Sequence, residues 1–196
     1  LFEGFRIPVL EFEGAEADDV IATLARLGVD RGMDVYICTS DKDARQLLGD
    51  HVFIYNLRKQ QVLDVEGLKA DWGITPDQVV DLLSLTGDAV DNVPGVPGIG
   101  IKTAAQLLQQ FGTLDALLDN VPKVSGAKRK ENLYTHADVA RKARELITLR
   151  TDLPIRIDWE ELRRDGIDHA ALKALCIECG FHRFLDEIAA GEPDRV

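Results

Sequence analysis

The chain is poor in cysteine, methionine and aromatic residues: 3 Cys, 1 Met, 2 Trp, 3 Tyr and 7 Phe among 196 residues. Three cysteines, Cys38, Cys176 and Cys179, cannot form an even disulfide framework. The fold must therefore rest on packing, and the expected compartment is a reducing one, the cytoplasm. Cys176 and Cys179 make a single C-x-x-C with His169 and His182 nearby. A zinc site of the usual kind needs a second such pair, and within ALKALCIECGF the spacing equally fits a helical i, i+3 pair packed on a buried face. Apolar runs are short, far below the about 20 residues of a bilayer span, and LFEGFRIPVL lacks the charged region and cleavage site of a signal peptide. No membrane association is expected. The scarce aromatics Trp72, Trp159, Phe181 and Phe184 stand among apolar neighbours at helical spacing and read as core, not as base-stacking platforms.

Positive charge is also scarce, with 23 Lys and Arg against 34 Asp and Glu and a net charge of −11. The deficit is uneven. Residues 1–100 carry 8 basic and 18 acidic side chains, whereas residues 102–150 carry 9 basic and 5 acidic ones. A nucleic-acid duplex responds to local potential, and bound cations would offset part of the acidity of the first half, so the overall charge does not exclude a DNA partner.

Seven of the acids fall in three tight clusters: Glu16, Asp18 and Asp19 in EADD, Asp41 and Asp43 in TSDKD, and Asp88 and Asp91 in GDAVDN. Carboxylate oxygens are the ligands that hard divalent cations take, and two such cations a few Å apart suit in-line attack at phosphorus. Singly, EADD is an ordinary helix-start run and TSDKD an ordinary solvated turn. Three clusters in one chain favour a site. Glu16 and Asp19, three apart, are expected to share a helix face while Asp18 points aside unless the helix begins late; Asp41 and Asp43 can both turn inward if the loop bends at Lys42.

The third cluster runs into GVPGIGIKTA at residues 95–104. Gly98 and Gly100 flank Ile99 in a tight turn that opens a helix at about Lys102, leaving backbone N–H groups free to meet a phosphate. Ile99 is the expected buried plug, with Lys102 and Thr103 placed to add a charge and a hydroxyl contact. This is the form of a helix-hairpin-helix, over about residues 88–110, which grips backbone without reading bases. The basic run Lys128, Arg129, Lys130 is either a further phosphate contact or a solvated helix start.

Elsewhere the pattern predicts a buried strand around residues 7–10, then an amphipathic helix over EADDVIATLARLGVDRG with Val20, Ile21, Leu24, Leu27 and Ala25 as its apolar stripe. A continuous apolar strand over residues 35–38 follows, of the kind found in parallel sheets, ending at Asp41 and Asp43. ARQLLG reads as a short helix, HVFIYNL and QQVLD as strands, and two helices follow, the second starting at a Thr75/Pro76 cap. From Gly98 onward the pattern is helical throughout.

EADD, TSDKD, GDAVDN and GVPGIGIKTA, in this order and spacing, resemble the 5′ nuclease domains of bacterial DNA polymerase I, within the flap endonuclease superfamily. The resemblance covers about residues 4–187, including TDLP at residues 151–154. It implies an α/β fold: a partial PIN-like (resolvase-like) nuclease core over residues 1–73, and an all-α, SAM-like helix-hairpin-helix region over residues 74–196. It implies metal-site carboxylates at Glu16, Asp18, Asp19, Asp41, Asp43, Asp88 and Asp91, with Glu16, Asp41, Asp43 and Asp91 catalytic through two Mg²⁺ or Mn²⁺ ions. It implies duplex contacts at Gly95, Gly98, Ile99, Gly100, Lys102 and Thr103, with K⁺ at the hairpin. The expected partner is double-stranded DNA with a 5′ flap, nick or end, and the expected state a monomer. Family members carry further aspartates and basic residues ahead of the position of Leu1, so the chain is expected to start mid-domain. A free-standing 5′ flap nuclease, or a DNA-binding module without catalysis, are the alternative readings.

Overall fold

The computed structural model of the chain describes residues 1–164 and 166–189. The end of the expected helical region, residues 190–196, lies outside them. Two compact units divide the chain, residues 15–153 and a second unit made of residues 1–14 with 154–196.

The larger unit begins with helix α1, Ala17–Val29, whose first turn carries Asp18 and Asp19. Strand β1, Val35–Cys38, pairs in parallel with β2, Val52–Asn56, which pairs antiparallel with β3, Gln61–Leu63, giving the order β1-β2-β3. A 3-10 turn, Asp43–Leu47, stands between β1 and β2. Asp64 caps α2, Val65–Trp72, by accepting the Gly67 N–H at 2.7 Å, and Gly73 ends that helix in the left-handed conformation that glycine adopts freely. Thr75 and Gln78 form a capping box with Pro76 in the first turn, and α3, Val79–Thr86, follows.

α3 is the hub. Val79, Leu82, Leu83 and Leu85 are buried almost completely, because the helix packs on α4, Ile101–Phe111, α5, Leu114–Asp119, and α7, Ala137–Ile147. One apolar cluster extends from Ala44 to Ile147 through these helices, with Leu133 of α6, Ala127–Thr135, among its members. A smaller cluster of Ala25, Ile37 and Val52 joins α1 to the sheet. Asp81 is buried in the helical layer, accepting the Leu114 N–H at 2.8 Å and facing Arg144 at 3.9 Å. Burial raises its carboxyl above the ordinary range, against the Leu114 hydrogen bond and the Arg144 charge.

The smaller unit holds α8, His169–Glu178, capped by Asp168, and α9, His182–Ala189. Gly4 packs against Leu172, so closely that a Cβ there would lie 2.5 Å from Leu172 Cδ2, and its carbonyl accepts the Asp168 N–H at 2.8 Å.

Several sequence expectations are corrected. Residues 7–10 form no strand: Ile7, Val9 and Leu10 are exposed, and no strand pairs with them among the described residues. On α1 the deeply buried positions are Val20, Ala22, Thr23, Ala25 and Gly28, while Ile21, Leu24 and Leu27 are only half-buried, because small residues let the helix approach its neighbours closely. Of β1 only Ile37 is buried, and exposed Tyr36 stacks on Phe53 at 5.0 Å. Phe181 and Phe184 are exposed and meet edge to face, whereas Trp72, as expected, packs against the main apolar cluster, with the Arg45 guanidinium 4.1 Å from its ring. Cys176 is buried but Cys179 is exposed. The helical run stops at Ile147. Residues 149–153 form no helix, since their backbone groups are bonded by side chains from other elements: Leu149 N–H to Gln46, Arg150 N–H to Asp19, and Leu153 N–H to Thr23.

Candidate metal centre and nucleic-acid interface

The parallel pairing of β1 and β2 fixes where the second acid cluster stands, just past the carboxyl end of β1. There the chain turns back on its own side chains. Asp41 N–H donates to Thr39 Oγ1 at 3.0 Å, and Asp43 N–H donates to Asp41 Oδ1 at 2.9 Å, which aims Asp43 inward. Gln46 locks the turn from behind, donating through Nε2 to the carbonyls of Asp43 and Ile147, both at 3.0 Å.

The third cluster is not helical. Asp88 and Val93 exchange backbone hydrogen bonds of 2.8 and 2.7 Å, closing a tight loop between α3 and α4 in which Asn92 takes a positive φ of 56°. This loop lays Asp88 and Asp91 beside Asp43, where one carboxylate oxygen from each lies within 4.8 Å of the others. Asp88 is buried and commits both oxygens, Oδ1 accepting the Val90 N–H at 2.8 Å and Oδ2 meeting Lys42 Nζ at 2.6 Å.

Electrostatics tie the three clusters together. Burial, then the charges of Asp41 and Asp88, push the Asp43 carboxyl up to about 6. Asp18 is raised by burial, then by Asp41, Glu16, Asp91 and Asp19. Asp91, although exposed, is raised by loss of water on its inner side, then by the charge and hydrogen bonding of Asp88. Burial also works to raise Asp88, but the Lys42 and backbone hydrogen bonds outweigh it and hold that carboxyl below the ordinary range. Asp18 feels the charges of Asp41 and Asp91, as expected where the helix begins late, and α1 begins only at Ala17. Asp19 has a local partner, accepting the Arg150 N–H at 2.8 Å. Glu16 is the exposed N-cap residue of α1.

These residues fit a hard divalent cation. The donors are all carboxylate oxygens, and Asp43 Oδ1 is buried without a hydrogen-bond partner, which a native fold seldom leaves unless an ion or water completes it.

The hairpin follows from the same loop. Val96 N–H donates to Leu85 O at 2.8 Å, and a Cβ on Gly95 would lie 2.3 Å from the Thr86 carbonyl carbon, so the chain can pass the end of α3 only as glycine. Gly98 turns the backbone at φ 77°, and Ile99 is buried as the plug. Gly100 is the N-cap of α4; it has no capping side chain, and no atom lies within 4 Å of where its Cβ would be. The first N–H groups of α4 are thus open to an anion, with Lys102 exposed and Thr103 half-buried beside them. Asn132 Nδ2 donates to Pro97 O at 2.7 Å, and Gly98, Ser125, Lys128 and Arg129 border one open cleft. In the basic run, Lys130 is tied to Pro122 O at 2.6 Å and Lys128 to Glu131 at 3.1 Å.

Two family models cover this architecture: a 5′-3′ exonuclease N-terminal resolvase-like domain at residues 1–73 and a 5′-3′ exonuclease C-terminal SAM fold at residues 74–170. The chain belongs to the 5′-3′ exonuclease family. Its fold is a resolvase-like α/β domain followed by a SAM-fold helical domain. It is 46% identical over 158 residues to DNA polymerase I of Rhizobium leguminosarum, covering 81% of this chain and 16% of that protein. It is 38% identical over 193 residues to DNA polymerase I of Bacillus caldotenax, covering 96% of this chain and 22% of that protein. The chain therefore spans about a fifth of the length of these relatives. Among solved structures, the T5 D15 protein co-crystallised with metal ions superposes with a TM-score of 0.66 at 24% identity, over 71% of this chain and 52% of that one. The catalytic core of Rad2 in complex with DNA substrate superposes with a TM-score of 0.61 at 19% identity, over 99% of this chain and 67% of that one. Both share its fold.

Lys42, Gln46 and Thr23 escaped the sequence reading. Lys42 lies between two acids and reads as part of a solvated turn; Gln46 and Thr23 act through backbone groups far along the chain, which no local pattern reveals. Among the described residues no helix is long and apolar enough to cross a membrane.

Proposed function

We propose that this chain is the 5′ nuclease segment of a DNA polymerase I, hydrolysing DNA phosphodiesters near a 5′ end at a nick or flap. The observation that carries this reading is the approach of Asp43, Asp88 and Asp91 oxygens to within 4.8 Å of one another, with a buried unpartnered Asp43 oxygen between two acidic loops. Two ions of the Mg²⁺ or Mn²⁺ kind would supply an activated water and charge stabilisation of the leaving oxygen. Asp43, Asp88 and Asp91 would hold one ion, and Asp41, Asp18 and Glu16 would line the remainder of the centre. Asp19, through Arg150 N–H, would keep α1 in place. The nuclease core, residues 1–73, would then share the metal centre with the helical part, residues 74–196, which supplies Asp88 and Asp91. There Gly98, Gly100, Lys102 and Thr103 would hold the duplex backbone beside Ile99 as plug, and Gly95 would set the hairpin against α3. The metal ions and DNA named for the structural relatives support this reading.

The test is cleavage of a 5′-labelled flap duplex with Mg²⁺ or Mn²⁺ by the wild type and by Asp43→Asn. The expected result is short 5′ products from the wild type alone. Duplex binding without cleavage by either ion would favour a DNA-binding module instead.

A further inference from the structure

Lys42 is the one basic side chain set inside the acid cluster by its own sequence position, between Asp41 and Asp43. Its Nζ lies 2.6 Å from Asp88 Oδ2, and Asp88 is only 3% exposed. The other Asp88 oxygen is held by Val90 N–H at 2.8 Å. A divalent ion bound jointly by Asp43, Asp88 and Asp91 must take an Asp88 oxygen at roughly 2.0–2.6 Å, beside the Lys42 ammonium. The carboxylate has lone pairs for both cations, but held on one group they repel at close range. The Lys42 stem is four carbons long and its side chain is 34% exposed, so it has a path out to solvent.

We propose that Lys42 is a tethered cation that holds Asp88 against the Asp41–Asp43 turn and competes with the divalent ion for that carboxylate, so that it lowers the ion affinity of the centre. This rests on the metal-centre reading above. The ammonium bridges two loops that otherwise confront each other with like charge, the turn after β1 and the loop between α3 and α4. Its attraction for Asp88 is then subtracted from the free energy of ion entry, and its charge repels the incoming ion as well.

The experiment is Mn²⁺ titration by calorimetry of the wild type, Lys42→Met and Lys42→Arg, with thermal melts of each in chelator and in saturating Mn²⁺. Lys42→Met is expected to bind Mn²⁺ about ten-fold tighter, in keeping with removal of one neighbouring positive charge. It should melt below the wild type in chelator and recover in Mn²⁺, while Lys42→Arg keeps the wild-type melt. If Lys42→Met is too unstable without metal for titration, it is prepared with Mn²⁺ and stripped by graded chelator. It should then retain the ion to higher chelator concentration than the wild type. Wild-type binding with an equal or weaker affinity in Lys42→Met overturns the role of Lys42 and leaves the metal centre standing. Absence of binding in both proteins overturns the metal centre, and this inference with it.

Discussion

The loop between α3 and α4 gives Asp88 and Asp91 to the acid centre and carries the hairpin glycines, yet the two regions offer their chemistry in opposite ways. At the centre the working atoms belong to side chains, and they are held at electrostatic cost: Asp18, Asp43 and Asp91 are all raised, and one Asp43 oxygen is buried unpartnered. At the hairpin the working atoms are backbone N–H groups, laid open because Gly98 and Gly100 have nothing beyond Cα. The first kind of site stores repulsion that a cation would relieve; the second is relaxed and would take an anion. The loop between α3 and α4 contributes to both, with acids to the one and glycines to the other.

The largest effect separates the glycines themselves. Gly95→Ala forces a Cβ to 2.3 Å from the Thr86 carbonyl carbon, backbone against backbone, so about 3 kcal/mol of stability or more should be lost, a fall in Tm of about 10 °C. Gly100→Ala meets open space at an ordinary φ of −99°, and its melt should stay within about 2 °C of the wild type. Scanning calorimetry of the two variants checks both. Equal melts would mean that the loop can move off α3 and that the hairpin is not anchored there.

On the acid side, Asp43→Asn should weaken Mn²⁺ binding roughly 100-fold, at the upper end of what loss even of an outer partner costs a metal site. In chelator the same variant should melt no lower than the wild type, since it removes a charge that its neighbours repel. Paired titration and melting measurements decide this. A variant that binds Mn²⁺ normally would show that the buried oxygen is not a ligand.

The gathering of the acids was legible in the sequence because an ion requires carboxylates and few other folds need three clusters of them. Which acid faces which was not. Helical spacing pairs Glu16 with Asp19, but Asp19 accepts the Arg150 N–H, and Asp18 feels the charges of Asp41 and Asp91. The stripe on α1 was misread in part for a related reason: Val20 and Ala25 are buried as expected, but periodicity weights large aliphatics, whereas close packing also buries Ala22, Thr23 and Gly28. Residues 7–10 looked like a strand by composition alone, yet a strand exists only where another strand meets it. The hairpin was read almost residue for residue, because the turn at Gly98 and the plug at Ile99 are local. Gly95 was legible as glycine but not as a contact with Thr86, which depends on where α3 ends.

A smaller effect follows from pH. The Asp43 carboxyl sits at about 6 against an ordinary 3.8, so between those values the folded chain holds a proton that the unfolded chain has released. Stability from this group therefore falls as pH rises from about 4 to about 6, and Asp18 and Asp91 act in the same sense. Asp88, lowered by Lys42, acts in the opposite sense, losing its contribution as pH falls below its ordinary value. Since an ion must displace the Asp43 proton, Mn²⁺ affinity should be flat above about pH 7 and fall about ten-fold per unit below 6. Titrations at four pH values in wild type and Asp43→Asn check this, and the slope should be shallower in the variant, where Asp91 and Asp18 still titrate.

The smallest effect belongs to the hairpin, where one side chain adds to what the backbone does. Lys102 is exposed on the first turn of α4, and no salt bridge is seen for it among the described residues. If it neutralises one phosphate, Lys102→Ala should reduce the slope of log K against log salt by about one, and weaken all sequences equally. Gly100→Val should behave differently. Its side chain would stand in the open space through which a phosphate must approach the α4 N–H groups, so binding should drop at every salt concentration with the slope nearly kept. Anisotropy on a nicked duplex over a range of salt distinguishes a lost charge from a blocked approach. If Gly100→Val binds as the wild type does while Lys102→Ala still loses one unit of slope, the duplex is held by side-chain charge alone. Lys128 and Arg129 at the same cleft would then become its principal contacts, and the hairpin would work by the same means as the acid centre, with the sign reversed.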